Sequence, residues 1–259
     1  MTQAFPAAGR DWLVRPRPNP RARLRLLCFS YAGGGSGAFS GWAEQLPSSV
    51  ELAAVRLPGR ESRIMQRPYA VLEDLLPDLG DAVADHCAEP YVLFGHSMGA
   101  LIAFECARWL RAHGHRAPEH LVVSGRRAPQ LPHNRPLIHT LPDDTFVERL
   151  RELGGTPEEL LADARVMRLV MPGLRADFQL NDSYRYQPQA PLDCPLTAFG
   201  GRADRHVDEP GLAAWTEQTT GAFRHIMFDG GHFFLHSAQE EVLGELAGIL
   251  RRTTEAAVE

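Results

Sequence analysis

The sequence predicts an α/β fold on a mostly parallel, doubly wound sheet, and three observations predict it. Short apolar runs alternate with longer helix-forming runs along the chain, the pattern of strands joined by crossover helices. One of these runs, Tyr91-Val92-Leu93-Phe94, follows Pro90 and is apolar throughout, as a strand covered on both faces must be. It leads directly into Gly95-His96-Ser97-Met98-Gly99 and then into a helix-forming stretch, which places a serine at a tight strand-to-helix turn. At 259 residues and 44% hydrophobic content the chain suits one such domain, so a single domain is expected over residues 1–259.

Taken in order, Met1 to Arg25 lacks the apolar centre of a secretory signal, and Pro16, Pro18 and Pro20 between arginines read as an extended arm. Strands are expected at Leu24–Phe29, Glu51–Val55, Tyr91–Phe94, His120–Ser124, Leu196–Phe199 and Arg224–Phe228. Helices are expected at Ala38–Leu46, Leu72–His86, Met98–His113, Gly211–Thr219 and Gln239–Arg251. One interval breaks the rhythm. Roughly 70 residues, Gly125 to Pro195, separate two successive strands, many more than one crossover helix requires. Within it Asp143 can cap a helix carrying Phe146, Val147, Leu150 and Leu153. Thr156-Pro157-Glu158-Glu159 reads as a capping box. Pro172 interrupts the next helical pattern, and a further amphipathic stretch runs from Leu174 to Tyr184. The interval of about 126–190 is therefore read as an inserted helical lid over the C-terminal edge of the sheet, where sites form in open α/β folds.

The formal charge of −5 is mild, and all 27 basic residues are arginine. That balance argues against nucleic-acid binding. With no run of about 18 apolar residues, a membrane span is not expected. Cys28, Cys87, Cys106 and Cys194 are widely spaced and read as buried thiols in a reducing cytoplasm, not as a disulfide framework or a zinc site.

The chemistry centres on Ser97. Flanking glycines allow a tight turn that exposes the serine, while the following helix aims its N-terminal N–H groups at the same point. A serine needs a base and an orienting acid, and in the α/β-hydrolase arrangement the chain order is serine, acid, histidine. Asp204 follows the strand Leu196–Phe199 in the loop Gly200-Gly201-Arg202-Ala203 and is preferred to Asp208, which stands further from the strand end. His232 follows the last strand through Gly230-Gly231. His232 and His236 are four residues apart but lack a third metal ligand, so no metal is expected; His96 inside the turn is read as shaping the pocket. Two backbone N–H groups complete the site as an oxyanion hole: Met98, next to the nucleophile, and Ala32, in the loop Ser30-Tyr31-Ala32-Gly33-Gly34-Gly35-Ser36 after the first strong strand.

From about Trp12 to Arg251 the chain resembles the type II (editing) thioesterases of polyketide synthase and nonribosomal peptide synthetase pathways. The resemblance rests on Phe29-Ser30-Tyr31-Ala32-Gly33-Gly34-Gly35, Leu57-Pro58-Gly59-Arg60, Gly95-His96-Ser97-Met98-Gly99, Leu174-Arg175-Ala176-Asp177, Gly201-Arg202-Ala203-Asp204 and Gly231-His232-Phe233-Phe234, in that order. Tyr31 stands where many relatives carry histidine, a difference of little weight if the donor in that loop is backbone. The resemblance implies the α/β-hydrolase fold and a cofactor-free, cytoplasmic, monomeric enzyme. It also implies a substrate, an acyl group thioester-linked to the phosphopantetheine arm of an acyl or peptidyl carrier protein. Arg126, Arg127 and Arg135 are candidates for docking an acidic carrier. A small-ester or carbon–carbon bond hydrolase with the same residues, and a non-catalytic binding protein on the same scaffold, are the rival readings.

Overall fold

The computed structural model describes residues 12–86, 89–132 and 137–256; Cys87 and Arg135 lie outside them. Seven strands form one sheet: β1 (Leu13–Val14), β2 (Leu24–Phe29), β3 (Val50–Val55), β4 (Tyr91–His96), β5 (His120–Ser124), β6 (Leu196–Gly201) and β7 (Phe223–Phe228). Their spatial order is β1-β3-β2-β4-β5-β6-β7. Every pairing is parallel except β1 with β3, which is antiparallel, Leu13 opposite Val55. Sequence patterning misses β1 because two residues carry no alternation to detect. The arm before β2 is therefore partly a sheet edge.

Period-2 geometry splits each strand between two cores. Leu24, Leu26 and Cys28 of β2 face one apolar layer and Leu27 and Phe29 the other. The first layer is filled by Trp42 of α1 (Trp42–Gln45) and by Leu243, Leu246 and Leu250 of α9 (Gln239–Ala256). The opposite layer holds Leu75 and Leu79 of α2 (Leu72–Ala84) with Leu101 and Phe104 of α3 (Met98–Ala112). Each such leucine, fully buried, contributes about 1.5–3 kcal/mol. Two predicted helices are shorter than expected. Gly41, at φ 77°, separates a 3-10 turn at Ser36–Phe39 from α1. The segment expected at Gly211–Thr219 forms α7 (Glu209–Ala213) followed by a 3-10 turn at Ala214–Gln218.

Between β5 and β6 lie α4 (Asp143–Leu153), α5 (Glu158–Ala162) and α6 (Ala164–Ser183). They share an apolar cluster of their own, Ile138, Phe146, Leu150, Leu161, Met167 and Leu174. Three local expectations change here. Asp143 is the first residue of α4, not its cap, and bonds Arg175 instead. Pro157 occupies the N-cap of α5, and the Thr156 side chain makes no capping bond. Finally, α6 runs unbroken through Pro172. A proline there withholds one N–H and costs about 3 kcal/mol, which is smaller than the gain from seating Met167, Leu174 and Leu180. The start of α6 is secured by Asp163, whose carboxylate accepts the Arg165 and Val166 N–H groups at 2.8 and 3.2 Å. α8 (Phe234–Ser237) follows β7.

Candidate active site

Parallel strands deliver their C-terminal ends to one edge of the sheet. Ser97 follows β4 there, and its backbone takes φ 56° and ψ −112°, a strained conformation for a side chain. The turn is compact enough that a Cβ on Gly95 would lie 2.2 Å from the Gly99 carbonyl oxygen, and one on Gly99 2.1 Å from that of Phe29. Ser97 N–H donates to the Ser124 carbonyl at 2.7 Å, tying the turn to β5.

His232 and Asp204 arrive from the loops after β7 and β6. Ser97 Oγ is 2.9 Å from His232 Nε2, and His232 Nδ1 is 2.7 Å from Asp204 Oδ2. The Asp204 side chain is fully buried and that of His232 is 12% exposed. A carboxylate only accepts, so Nδ1 carries the proton and Nε2 presents its lone pair to the serine hydroxyl. Asp204 Oδ1 accepts the His206 N–H at 2.8 Å, which holds the carboxylate in place. Asp208 is engaged elsewhere, capping α7 by accepting Gly211 N–H at 3.2 Å. His236 is not paired with His232 around a common point; its Nε2 lies 3.3 Å from the Tyr31 hydroxyl. His96 is completely buried, with Nδ1 2.9 Å from Ser124 Oγ. Burial, and then the neighbouring His232 and His236, push its pKa well below the ordinary value, so it stays neutral beside the His232 ring, 5.2 Å away.

The two N–H groups singled out in the sequence follow the ends of adjacent strands, since Phe29 at the end of β2 pairs with Gly95 of β4. Met98 opens α3, where an N–H has no acceptor within its own helix. Ala32 occupies the second position of a turn closed by Gly34 N–H on the Tyr31 carbonyl at 2.8 Å. Gly33 follows at φ 78°, which makes the turn type II and explains the glycine. The roles of Arg60, Glu61 and Asp177 are not legible in the sequence, although Arg60 and Asp177 stand inside the family-like motifs. Glu61, at φ 49°, accepts the Ser36 N–H at 2.6 Å and the Ser36 hydroxyl at 2.8 Å. Arg60 donates to the Gly34 carbonyl at 2.5 Å, and Asp177 accepts from Gly33 N–H at 2.7 Å. The only sequence signal for them is motif order, which carries no distances. Tyr31 does more than offer backbone: its ring packs edge-on against Phe233 at 4.9 Å, joining its loop to that of His232.

A cleft of about 530 Å³ opens at Ser97 and runs past Arg126, Arg127, Gln130, Tyr184 and Arg185. Arg126 bonds Asn181, and Arg127 pairs with Asp208 at 3.3 Å. The described cysteines are remote from this chemistry as nucleophiles. Cys28, Cys106 and Cys194 are buried, and burial pushes the Cys194 thiol up to about 12.

Comparison with known proteins gives the family. The thioesterase domain family matches residues 24–250. The chain belongs to the thioesterase family. As a thioesterase it is 42% identical over 219 residues to the gramicidin S biosynthesis protein GrsT of Aneurinibacillus migulanus, covering 85% of this chain and 86% of GrsT. Among solved structures it superposes on RedJ, a thioesterase of the prodiginine pathway in Streptomyces coelicolor, with a TM-score of 0.82. That match has 41% identity and covers 90% of this chain and 91% of RedJ. It also superposes on BorB, a type II thioesterase from the borrelidin cluster, with a TM-score of 0.85 and 34% identity, over 95% of this chain and 98% of BorB. The thioesterase thus has the α/β-hydrolase fold, and the resemblance to type II thioesterases drawn from its motifs holds. Among the described residues, no helix is long and apolar enough to cross a membrane.

Proposed function

We propose that this thioesterase hydrolyses acyl groups from the phosphopantetheine arm of acyl or peptidyl carrier proteins in the cytoplasm. It would thereby clear stalled or aberrant chains in polyketide or nonribosomal peptide biosynthesis. The observation that carries the reading is the continuous Asp204–His232–Ser97 hydrogen-bonded chain, 2.7 and 2.9 Å per link, at the mouth of an open cleft. Membership of the thioesterase family and the likeness to GrsT and BorB support the substrate class.

In this mechanism Ser97 Oγ attacks the thioester carbonyl carbon while His232 Nε2 takes the hydroxyl proton. Asp204 keeps Nδ1–H in place and stabilises the imidazolium that forms. The carbonyl oxygen becomes an oxyanion held by the Ala32 and Met98 N–H groups. The C–S bond then breaks, and the pantetheine sulfur leaves with the proton from His232. Water attacks the acyl-serine, giving its proton to His232 and then restoring the Ser97 hydroxyl as the free acid departs. Thiolate is a good leaving group, so less acid assistance is needed than for an amide. The inserted helices α4–α6 act as a lid over the cleft, and the arginines along it suit an anionic arm.

The test is release of acyl groups from an acyl-carrier protein, run beside a simple aryl ester. Efficient release from the carrier, abolished by Ser97→Ala, is the expected result. Rapid ester turnover with an untouched carrier thioester would instead favour a small-ester hydrolase. Undiminished turnover by Ser97→Ala would remove Ser97 as nucleophile.

A further inference from the structure

The turn that carries Ala32 is gripped from the inserted helices. Asp177 lies on α6 and is 2% exposed. One carboxylate oxygen accepts Gly33 N–H at 2.7 Å and the other accepts Arg60 Nη2 at 2.6 Å. The same guanidinium donates through Nη1 to the Gly34 carbonyl. Leu174, one helical turn earlier on α6, reaches to 2.6 Å from where a Gly33 Cβ would stand.

These contacts bracket a single peptide group. The Tyr31 carbonyl is turned inward to accept Gly34 N–H. In a trans peptide the N–H points opposite the carbonyl, so Ala32 N–H faces out of the turn. The next peptide, Ala32–Gly33, is fixed by its own N–H on Asp177. Neither plane can rotate without breaking a bond on one side of Ala32. Burying an ion pair as deeply as Arg60–Asp177 adds little net stability, because desolvation offsets the attraction. Arg60 Nε is buried with no hydrogen-bond partner among the described residues, a further cost. What the pair supplies is orientation.

We propose that Asp177 is a positioning residue for thioester hydrolysis: by joining Gly33 N–H to Arg60 it aims the Ala32 N–H at the oxyanion, so that α6 is part of the working site and not only its cover. The proposal rests on the reading of Ala32 as an oxyanion donor. It follows that hydrolysis is coupled to the seating of α6, since withdrawing the helix removes the acceptor that fixes the turn.

The test is a double-mutant cycle in kcat and KM for hydrolysis of an acyl-pantetheine thioester. Ala32→Pro deletes the N–H at a turn position that accepts proline, and kcat should fall about 100–1000-fold. Asp177→Ala should lower kcat about 10–100-fold with KM within about threefold, as expected for an interaction made in the transition state. Asp177→Asn, which keeps an oxygen for Gly33 N–H, should recover most of that loss. In the Ala32→Pro background Asp177→Ala should cost nothing more, because both act through one N–H. Additive losses, or a rise in KM with kcat intact, would overturn the positioning role while leaving the thioesterase reading in place. Full turnover by Ala32→Pro would overturn the positioning role together with the reading of Ala32 as oxyanion donor, and a wild-type enzyme inert on the thioester would overturn the thioesterase reading itself. Should Asp177→Ala be unfolded by its thermal midpoint, Arg60→Met carries the same cycle from the other end of the clamp, and additivity there is equally decisive.

Discussion

Asp204 and Asp208 stand four residues apart in one loop region and serve different ends. The first is buried against His232 Nδ1, the second caps a helix at the surface. Exchanging the carboxylate of Asp204 for an amide lets the imidazole adopt the other tautomer, with its proton facing Ser97. Asp204→Asn should therefore cost on the order of 10⁴-fold in kcat with the fold intact. Asp208→Ala should leave kcat near wild type and lower stability by about 0.5–2 kcal/mol, the usual loss of a cap. Steady-state kinetics and a denaturant titration on the two variants separate these roles. Both aspartates are visible in the sequence, and distance from the strand end is what ranks Asp204 first there. The capping bond that occupies Asp208 is not, because it depends on where α7 begins.

At the scale of elements, the strand–turn–helix around Ser97 works because β4, α3 and the end of β2 approach within contact of bare backbone. A methyl at Gly99 would meet the Phe29 carbonyl oxygen at 2.1 Å and that of Ser30 at 2.6 Å. Alanine favours a helix over glycine by about 1 kcal/mol, but backbone cannot swing aside as a side chain does. Overpacking of about 1–3 kcal/mol or more prevails. Gly99→Ala should lower the thermal midpoint and turnover together, since the loop after β2 carries Ala32. Gly37→Ala, with nothing within 4 Å of its added Cβ, serves as the control and should change neither. Paired measurement of Tm and kcat on the two variants checks this. The same elements show what local patterning misses. β1 is two residues long, and α6 passes through Pro172 because its packing outweighs a local preference.

Across the whole molecule, two histidines, His96 fully buried and His120 half-buried, make the fold sensitive to acid. His120, at the start of β5, bonds Thr197 Oγ1 at 2.9 Å. Burial, reinforced by Arg224 and Arg252, lowers its pKa from the ordinary 6.5 to about 4. His96 is displaced in the same direction. The unfolded chain therefore binds a proton at His120 that the folded chain refuses between these values. Stability should be fully present above about pH 6.5 and should decline as pH falls towards about 4. Urea midpoints measured across that window should show the decline, and His120→Gln should flatten it. An unchanged slope in the variant would assign the acid sensitivity to other groups.

The sequence by itself determined which runs become strands, that one inserted helical interval interrupts them, and which serine, acid and histidine follow β4, β6 and β7. Those features are local, because alternation, apolar runs and glycine spacing act within a few residues of the atoms they place. Tertiary structure alone decided how the remaining motifs meet. The loop Tyr31–Gly34, the turn containing Arg60 and Glu61, and Asp177 of α6 are separated by 26 to 144 residues, yet they bond one another. Only the closing of the parallel sheet, which brings successive loops to one edge and lays α6 across them, turns three separate motifs into the frame of one N–H group.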